Sequence, residues 1–243
     1  LKNSAVGLDE FPYDAENPIH ELRHVVVMNL YRHYKDKPYR FLNIVRHSET
    51  LEDMVLYETL YENSAAKYWV RPKEMFFETI EHNGVKQPRF AKVLCQVENY
   101  SVFTDQNRAW IREVAEQCFD VWDQDAFEDR AKKFHVFHIS LAFIDEKPVA
   151  FKIGYGMTDE VFYSWLGAVQ PTMQRTGIAS MLMKNQHEWC LAQSFLRIQT
   201  KCLNFNQAML VLNLKHGFMV QDTEVTEQGL KLVLEKRLVE PAY

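Results

Sequence analysis

This chain has few residues that bend freely or cross-link. Eight glycines and eight prolines in 243 residues are too few for a low-complexity, collagen-like or linker-rich protein. The four cysteines, Cys95, Cys118, Cys190 and Cys202, show no CxxC or zinc-ligand spacing. That excludes a cysteine metal centre or disulfide scaffold and reads as buried free thiols in a reducing compartment. No apolar run approaches the roughly 18 residues of a membrane span. The polar, acidic "LKNSAVGLDEFPYDAENP" lacks a basic-then-apolar leader pattern, so a soluble, cytoplasmic protein with no membrane partner is expected. Positive charge is short as well. The formal net charge is −5 and neither half carries a basic stripe, which disfavours nucleic-acid binding by phosphate neutralisation.

What is present is ample core material, 47% hydrophobic and 13% aromatic, in two textures that divide the chain into residues 1–92 and 93–243. The first part holds short Val-, Tyr-, Phe- and Trp-rich runs such as "HVVVMNLYRHY", "YRFLNIVRH", "MVLYETLY" and "AKYWVRP". "HNGV" at 82–85 predicts a hairpin, since Asn-Gly accepts positive φ at both turn positions. A small, mostly β barrel-like domain is expected. The second part opens on "TDQNRAWIREVAEQCF", a Thr-Asp cap signal with Trp110, Ile111, Val114 and Phe119 near helical spacing. "DQDAFEDRAKKF" predicts a second short helix. "HVFHISLAFI" and "VAFKIGYG", joined by "DEKP", predict a hairpin, and "EVFYSWLGAV" predicts a third strand. The order αα, βββ, then α–β–α–β–β predicts an α+β domain with a central mixed sheet flanked by helices.

"GAVQPTMQRTGIASML" lies between that third strand and a helix with Ile178, Met181, Leu182 and Trp189 on one face. The first N–H groups of a helix are unpaired and the macrodipole adds positive charge. A glycine such as Gly177 lets an anion approach the backbone. The residues alone leave two readings open, an ordinary helix start and a phosphate cradle.

"QRTGIA" at 174–179 matches the Gln/Arg-x-x-Gly-x-Gly/Ala signature of the GNAT superfamily of acetyl-CoA-dependent N-acyltransferases. "FYSWLGAVQP" resembles the strand before that signature, and "NFNQAMLVLNLKHGF" resembles the later motif through Asn206, Gly217 and Phe218. The resemblance covers about residues 94–240. It implies acetyl-CoA as co-substrate, with the backbone from Gln174 through Arg175, Thr176, Gly177, Ile178 and Ala179 holding the pyrophosphate. It also implies that the strand edge Gly167, Ala168 and Val169 pairs with the pantetheine arm, that Asn206 contacts that arm, and that Val169 offers an N–H to the acyl oxygen. Asn206 is equally placed to be a helix N-cap.

One position departs from the pattern. Seven residues after the motif asparagine, where many members carry a tyrosine acid, stands Asn213. An amide can hydrogen-bond to sulfur but cannot transfer a proton to it at neutral pH. Tyr163, Ser164, Glu160, His135 and His138 are substitute candidates, Tyr163 first. Cys202 reads as a small buried hydrophobe, and His216 as a helix-end cation. His135 and His138, three apart on a strand, do not converge on a metal, and no metal is expected.

"YRHYK", "RHSET", "WVRP" and "PRF" over about residues 29–92 resemble a small uncharacterised bacterial domain family, apart from Asp36 where that family usually has glycine. Arg32, His33, Arg46, His47, Arg71 and Arg89 interleave there with Tyr31, Tyr34, Tyr39, Tyr57 and Trp69. Such a cluster either binds a phosphate, carboxylate or base, or fills a barrel core with its arginines paired to Glu49, Glu58 and Glu74. The expectation is an N-acetyltransferase acting on a primary amine of a small molecule or protein, with a homodimer left open. The competing expectations are an acyl-CoA-binding regulatory protein with little turnover and, behind it, an RNA-contacting barrel that delivers the transferase.

Overall fold

A computed structural model of the protein describes residues 22–239; the polar N-terminal stretch read above lies outside them. In chain order the elements are β1 (Leu22–His33), β2 (Lys37–Arg46), β3 (Asp53–Thr59), β4 (Tyr68–Pro72), α1 (Lys73–Phe77), β5 (Thr79–His82), β6 (Val85–Pro88) and β7 (Phe90–Tyr100). There follow α2 (Asp105–Cys118), α3 (Gln124–Lys133), β8 (Phe137–Ile144), β9 (Lys147–Gly156) and β10 (Val161–Val169). The chain closes with α4 (Ile178–Ala192), β11 (Arg197–Leu203), α5 (Gln207–Lys215), β12 (Met219–Thr226) and β13 (Gly229–Arg237). This is the α+β order expected, strand-rich first and helix-flanked second.

Eleven strands form one sheet in the order β12-β13-β11-β10-β9-β8-β7-β1-β2-β3-β4, with β5-β6 a separate hairpin. Only the β10–β11 pair is parallel. Among the described residues the N-terminal ladder stays open, because β4 pairs with β3 alone. β7 explains the continuity. It pairs with β1 from Phe90 to Asn99 and with β8 from Gln96 to Tyr100, so one strand belongs to both halves and runs through the 92/93 boundary.

Local signals act as read. Thr104 and Asn107 form a reciprocal capping box at the start of α2, and Asp123 caps α3. Asn83 and Gly84 both take positive φ in the β5–β6 turn. Asp145 and Glu146 do the same between β8 and β9 without any glycine. Asp36 sits at φ 56°, adopting the left-handed conformation that a glycine would supply and that Asp tolerates better than most residues. A short helix interrupts this strand-rich half at "KEMFF". After Pro72 the chain turns as α1 and buries Phe76 against Phe90 and Tyr57. The aromatics of this half therefore make its core, with Val55, Tyr57, Phe76 and Phe90 buried and Tyr31, Tyr39 and Phe41 around them.

Helices cover both faces of the C-terminal sheet. On one, Ile111, Val114 and Ala115 of α2 and Phe127 of α3 pack on Ile139, Leu141, Phe151 and Ile153. On the other, Ile178 and Leu182 of α4 meet Ala142, Ile144 and Ala150, and Met183 and Cys190 meet Ile198, Phe218 and Leu234 beside α5. Where β9 and β10 cross under α4 there is no space to spare. A Cβ on Gly154 would lie 2.2 Å from Phe162 Cε1 and 2.7 Å from the Tyr163 carbonyl oxygen. Gly154→Ala is expected to destabilise the protein by about 2–3 kcal/mol through overpacking, read as a lower urea midpoint with unchanged slope.

Candidate acetyl-CoA site

The ladder between β10 and β11 holds only from Val161–Arg197 to Tyr163–Gln199. A bulge follows in β10 between Ser164 and Leu166, and the strands part. The Ser164 carbonyl, just past the last pair, accepts a hydrogen bond from Thr200 Oγ1 at 2.8 Å. Beyond it one edge of β10 stays bound to β9 while the other has no strand among the described residues. The Gln170 N–H donates to the Val149 carbonyl, which makes Val169–Ala150 a non-hydrogen-bonded antiparallel pair. By alternation Gly167–Lys152 is one too. The backbone polar groups of Gly167 and Val169 therefore point away from β9, to the open edge, while those of Ala168 pair with β9.

A short 3-10 turn, Pro171–Met173, leads from this edge to the helix. Arg175 takes φ 63° and Gly177 φ 99°, with Thr176 between them outside the positive-φ region. Alternating signs of this kind curl successive N–H groups into an anion-binding nest. From Arg175 to Ser180 no backbone N–H finds an acceptor among the described residues. α4 also has no side-chain cap, which leaves its dipole end open. The Gln174 N–H closes the turn onto Pro171 at 3.4 Å, and its side chain donates to the Val169 carbonyl. Thr176 is buried, its hydroxyl on the Met173 carbonyl at 2.6 Å. Nothing lies within 4 Å of a Cβ built on Gly177.

α5 stands beside α4. Asn206 is its N-cap, accepting from the Met209 N–H at 3.1 Å, so its oxygen is engaged and its Nδ2 is left as a donor. Asn213 is buried, and its Nδ2 has no hydrogen-bond partner. His216 Nε2 and Ser180 Oγ are 2.6 Å apart, joining α5 to the first turn of α4. The expected helix-end cation is not what His216 becomes. Burial, then Lys184 and Lys236, push its pKa below the usual imidazole value.

The other candidates scatter. Tyr163 lies on the α2–α3 face near Tyr155 and Trp165, its pKa pushed up to about 12, chiefly by burial and then by Tyr155. Ser164 lies on the α4 face and accepts from Lys152 Nζ at 2.8 Å. Glu160 is exposed at the far end of β10. His135 is exposed before β8 and His138 is buried beneath α4. Cys202 is buried with its thiol pKa raised by burial, as read. No group of metal ligands occurs among the described residues.

In the N-terminal half His47 Nδ1 accepts from the Glu49 and Thr50 N–H groups, stapling the "RHSET" turn. Arg46 pairs with Asp53 and Arg89 with Glu78. Glu58 is held by two residues the sequence reading passed over, Arg40 and Lys67. Sequence reasoning also missed Lys152, whose pKa burial lowers to about 8, and Thr200. A lysine inside the strand "VAFKIGYG" reads locally as an outward-facing charge, and nothing in the sequence marks it as buried.

Residues 99–218 match the acetyltransferase (GNAT) family, and residues 29–92 match a family of proteins of unknown function, DUF1653. Among solved structures, Ard1 from Thermoplasma volcanium is similar at 16% identity and a TM-score of 0.52, over 59% of this chain and 99% of that one. The ribosomal-protein-S18-alanine N-acetyltransferase from Escherichia coli is similar at 14% identity and 0.53, over 61% and 96%. These likenesses establish the fold. No curated protein matches the chain, and no helix among the described residues is long and apolar enough to cross a membrane. The parted strands, the uncapped helix and the two family matches have one meaning: the chain carries an acetyltransferase domain of the GNAT family over residues 99–218, behind a DUF1653 segment.

Proposed function

We propose that this protein is an acetyl-CoA-dependent N-acetyltransferase, with a module of residues 1–92 preceding a catalytic domain of residues 93–243, that acylates a primary amine of a small molecule or protein. The observation that carries this reading is the pairing of an open β10 edge with six unsatisfied N–H groups at the start of α4. An edge that offers alternate N–H and C=O groups suits the amides of a pantetheine arm. An uncapped nest suits a pyrophosphate. Arg175 to Ala179 would hold the phosphates, Gly167 to Val169 the arm, and the Asn206 Nδ2 its opposite side; the Gln174 N–H is spent on the Pro171 carbonyl.

Bound acetyl-CoA supplies the thioester. The Val169 N–H, directed to the open edge, is placed to stabilise charge on the acyl oxygen, a contribution of roughly 3 kcal/mol for one such donor. The buried, unpartnered Nδ2 of Asn213 would be a hydrogen-bond donor to the sulfur as the amine N–C bond forms and the C–S bond breaks, with solvent taking the proton lost by the amine and supplying the one gained by the thiolate. Tyr163 is assigned to orienting the amine. With its pKa near 12, proton transfer from its phenol to a thiolate of ordinary pKa about 8.5 would run uphill.

The test is steady-state release of free thiol from acetyl-CoA against a panel of primary amines, including peptide N-termini and polyamines. Amine-dependent release is expected. Tight CoA binding with no release on any acceptor would instead establish the regulatory, CoA-binding reading, which Asn213 in place of tyrosine favours.

A further inference from the structure

The cofactor loop is held from outside its own domain. Arg40, on β2, donates from Nη1 to the Arg175 carbonyl at 2.5 Å. The opposite side of the same guanidinium grips the Glu58 carboxylate, with Nε 2.9 Å from Oε2 and Nη2 also in contact. Glu58, on β3, is itself buried at 3% exposure and takes a second ion pair from Lys67 at 3.2 Å. Burial alone would raise its pKa, but the hydrogen bonds and charges of Arg40 and Lys67 outweigh that and hold it below the usual carboxylate value. Apolar contacts back the polar one. Leu30 of β1 and Leu60, just after β3, pack into the cluster that contains Ile178 and Leu182 of α4 and Met173 before the loop. Arg32 of β1 also reaches Asp145 in the β8–β9 turn at 2.8 Å.

We propose that Arg40 is a positioning residue for the acetyl-CoA phosphates, and that holding this loop is a function of the DUF1653 segment; this rests on the reading of residues 175–179 as the pyrophosphate cradle. A trans peptide points its carbonyl and the next N–H in opposite directions. Fixing the Arg175 carbonyl on the module side therefore fixes the Thr176 N–H on the other side, in the middle of the nest. Arg175 sits at positive φ, a conformation that costs a non-glycine residue free energy and needs support. A guanidinium can serve the carboxylate and the carbonyl together because its donors lie in one planar fork, whereas an ammonium is a point charge that cannot span both in this way.

Calorimetric titration of CoA into the full chain, with the thermal midpoint recorded for each variant, tests the proposal. Arg40→Ala and Arg40→Lys are both expected to weaken CoA binding about tenfold, the loss of one charge-assisted hydrogen bond. Lysine keeps a charge against Glu58, so Arg40→Lys serves if the alanine variant does not fold. Lys67→Met removes the other Glu58 partner without touching the loop and is expected to leave CoA affinity unchanged. With the most active amine of the panel, the KM for acetyl-CoA should rise in the Arg40 variants while kcat at saturation and the KM for the amine stay within about twofold. Unchanged CoA affinity in a folded Arg40 variant, or equal losses in Arg40→Ala and Lys67→Met, would overturn the role of Arg40. If Gly177→Glu keeps wild-type CoA affinity the cradle reading itself fails, whereas loss in Gly177→Glu with full affinity in both Arg40 variants overturns the Arg40 role alone.

Discussion

Gly177→Glu abolishes CoA binding, an expected loss beyond 100-fold, in a protein that still folds. Two effects add. Gly177 stands at φ 99°, where an L side chain costs roughly 1–2 kcal/mol. It also lies in the middle of the run of unpaired N–H groups from Arg175 to Ser180. A carboxylate there would occupy the helix dipole end as an intramolecular anion and repel a pyrophosphate from the same donors. The stability cost stays modest because a Cβ at this position meets nothing within 4 Å. Calorimetric titration of CoA, with circular dichroism as the folding control, reads both quantities. Gly177→Ala separates them: it carries the backbone cost without the charge and should weaken binding far less than glutamate. Retained wild-type affinity in the glutamate variant would refute the cradle.

The second large effect is acid lability. His138 of β8, beneath α4, and His187 of α4 itself are both buried, and both have pKa values lowered to about 3. For His138 burial acts first and Lys152 second, opposed by a hydrogen bond with Asn185. For His187 burial is followed by Lys236, Lys152 and His216. Each has one ring nitrogen with no partner, His138 Nδ1 and His187 Nε2. Both folded-state values lie below the unfolded value of about 6.5. Between roughly pH 6.5 and 3 the unfolded chain therefore holds more protons than the folded one. By linkage, stability falls as pH falls through this window. From pH 7 to pH 5 the loss is about 2 kcal/mol for each histidine, about 4 kcal/mol together. Glu58, with its depressed pKa, adds to the loss at still lower pH. Urea unfolding at the two pH values measures the effect. The His138→Asn/His187→Asn double variant should show a flatter dependence whatever its absolute stability, and a wild-type midpoint that does not move between pH 7 and 5 would defeat this account.

The buried polar layer under α4 also shows where sequence periodicity stops informing. Ile178 and Leu182 continue by helical spacing to Gln186, and that residue is wholly buried with neither side-chain polar atom partnered. Spacing puts Gln186 on the apolar face, whereas polarity alone would put both Gln186 and His187 on the wet side. His187 is inside because β13 and the end of α5 close over it: Lys236 of β13 lies 2.9 Å from its Nδ1, and His216 and Phe218 flank its ring. In the same way "FYSWLGAV" reads as a strand from its pattern. Its bulge at Trp165 is a feature of its pairing with β9, and its divergence after Tyr163 is from β11, which lies beyond α4 in the chain; its own residue pattern records neither.

What the residues determined by themselves was local backbone. The capping box at Thr104, the Asn83-Gly84 turn, the uncapped start of α4 at Gly177 and the order of elements all follow from short-range sterics and hydrogen bonding, which act within a few residues and leave a readable trace. The cofactor was legible only through the resemblance of "QRTGIA" to the GNAT signature; the residues alone left an ordinary helix start and a phosphate cradle both open. Tertiary structure decided the rest. It ran one sheet through both halves by way of β7, buried Lys152 and Glu58, and brought Arg40 to the Arg175 carbonyl across 135 positions of sequence. Contacts of that separation are set by strand register and by which faces pack together, and a charged side chain gives no local sign of the partner it will meet.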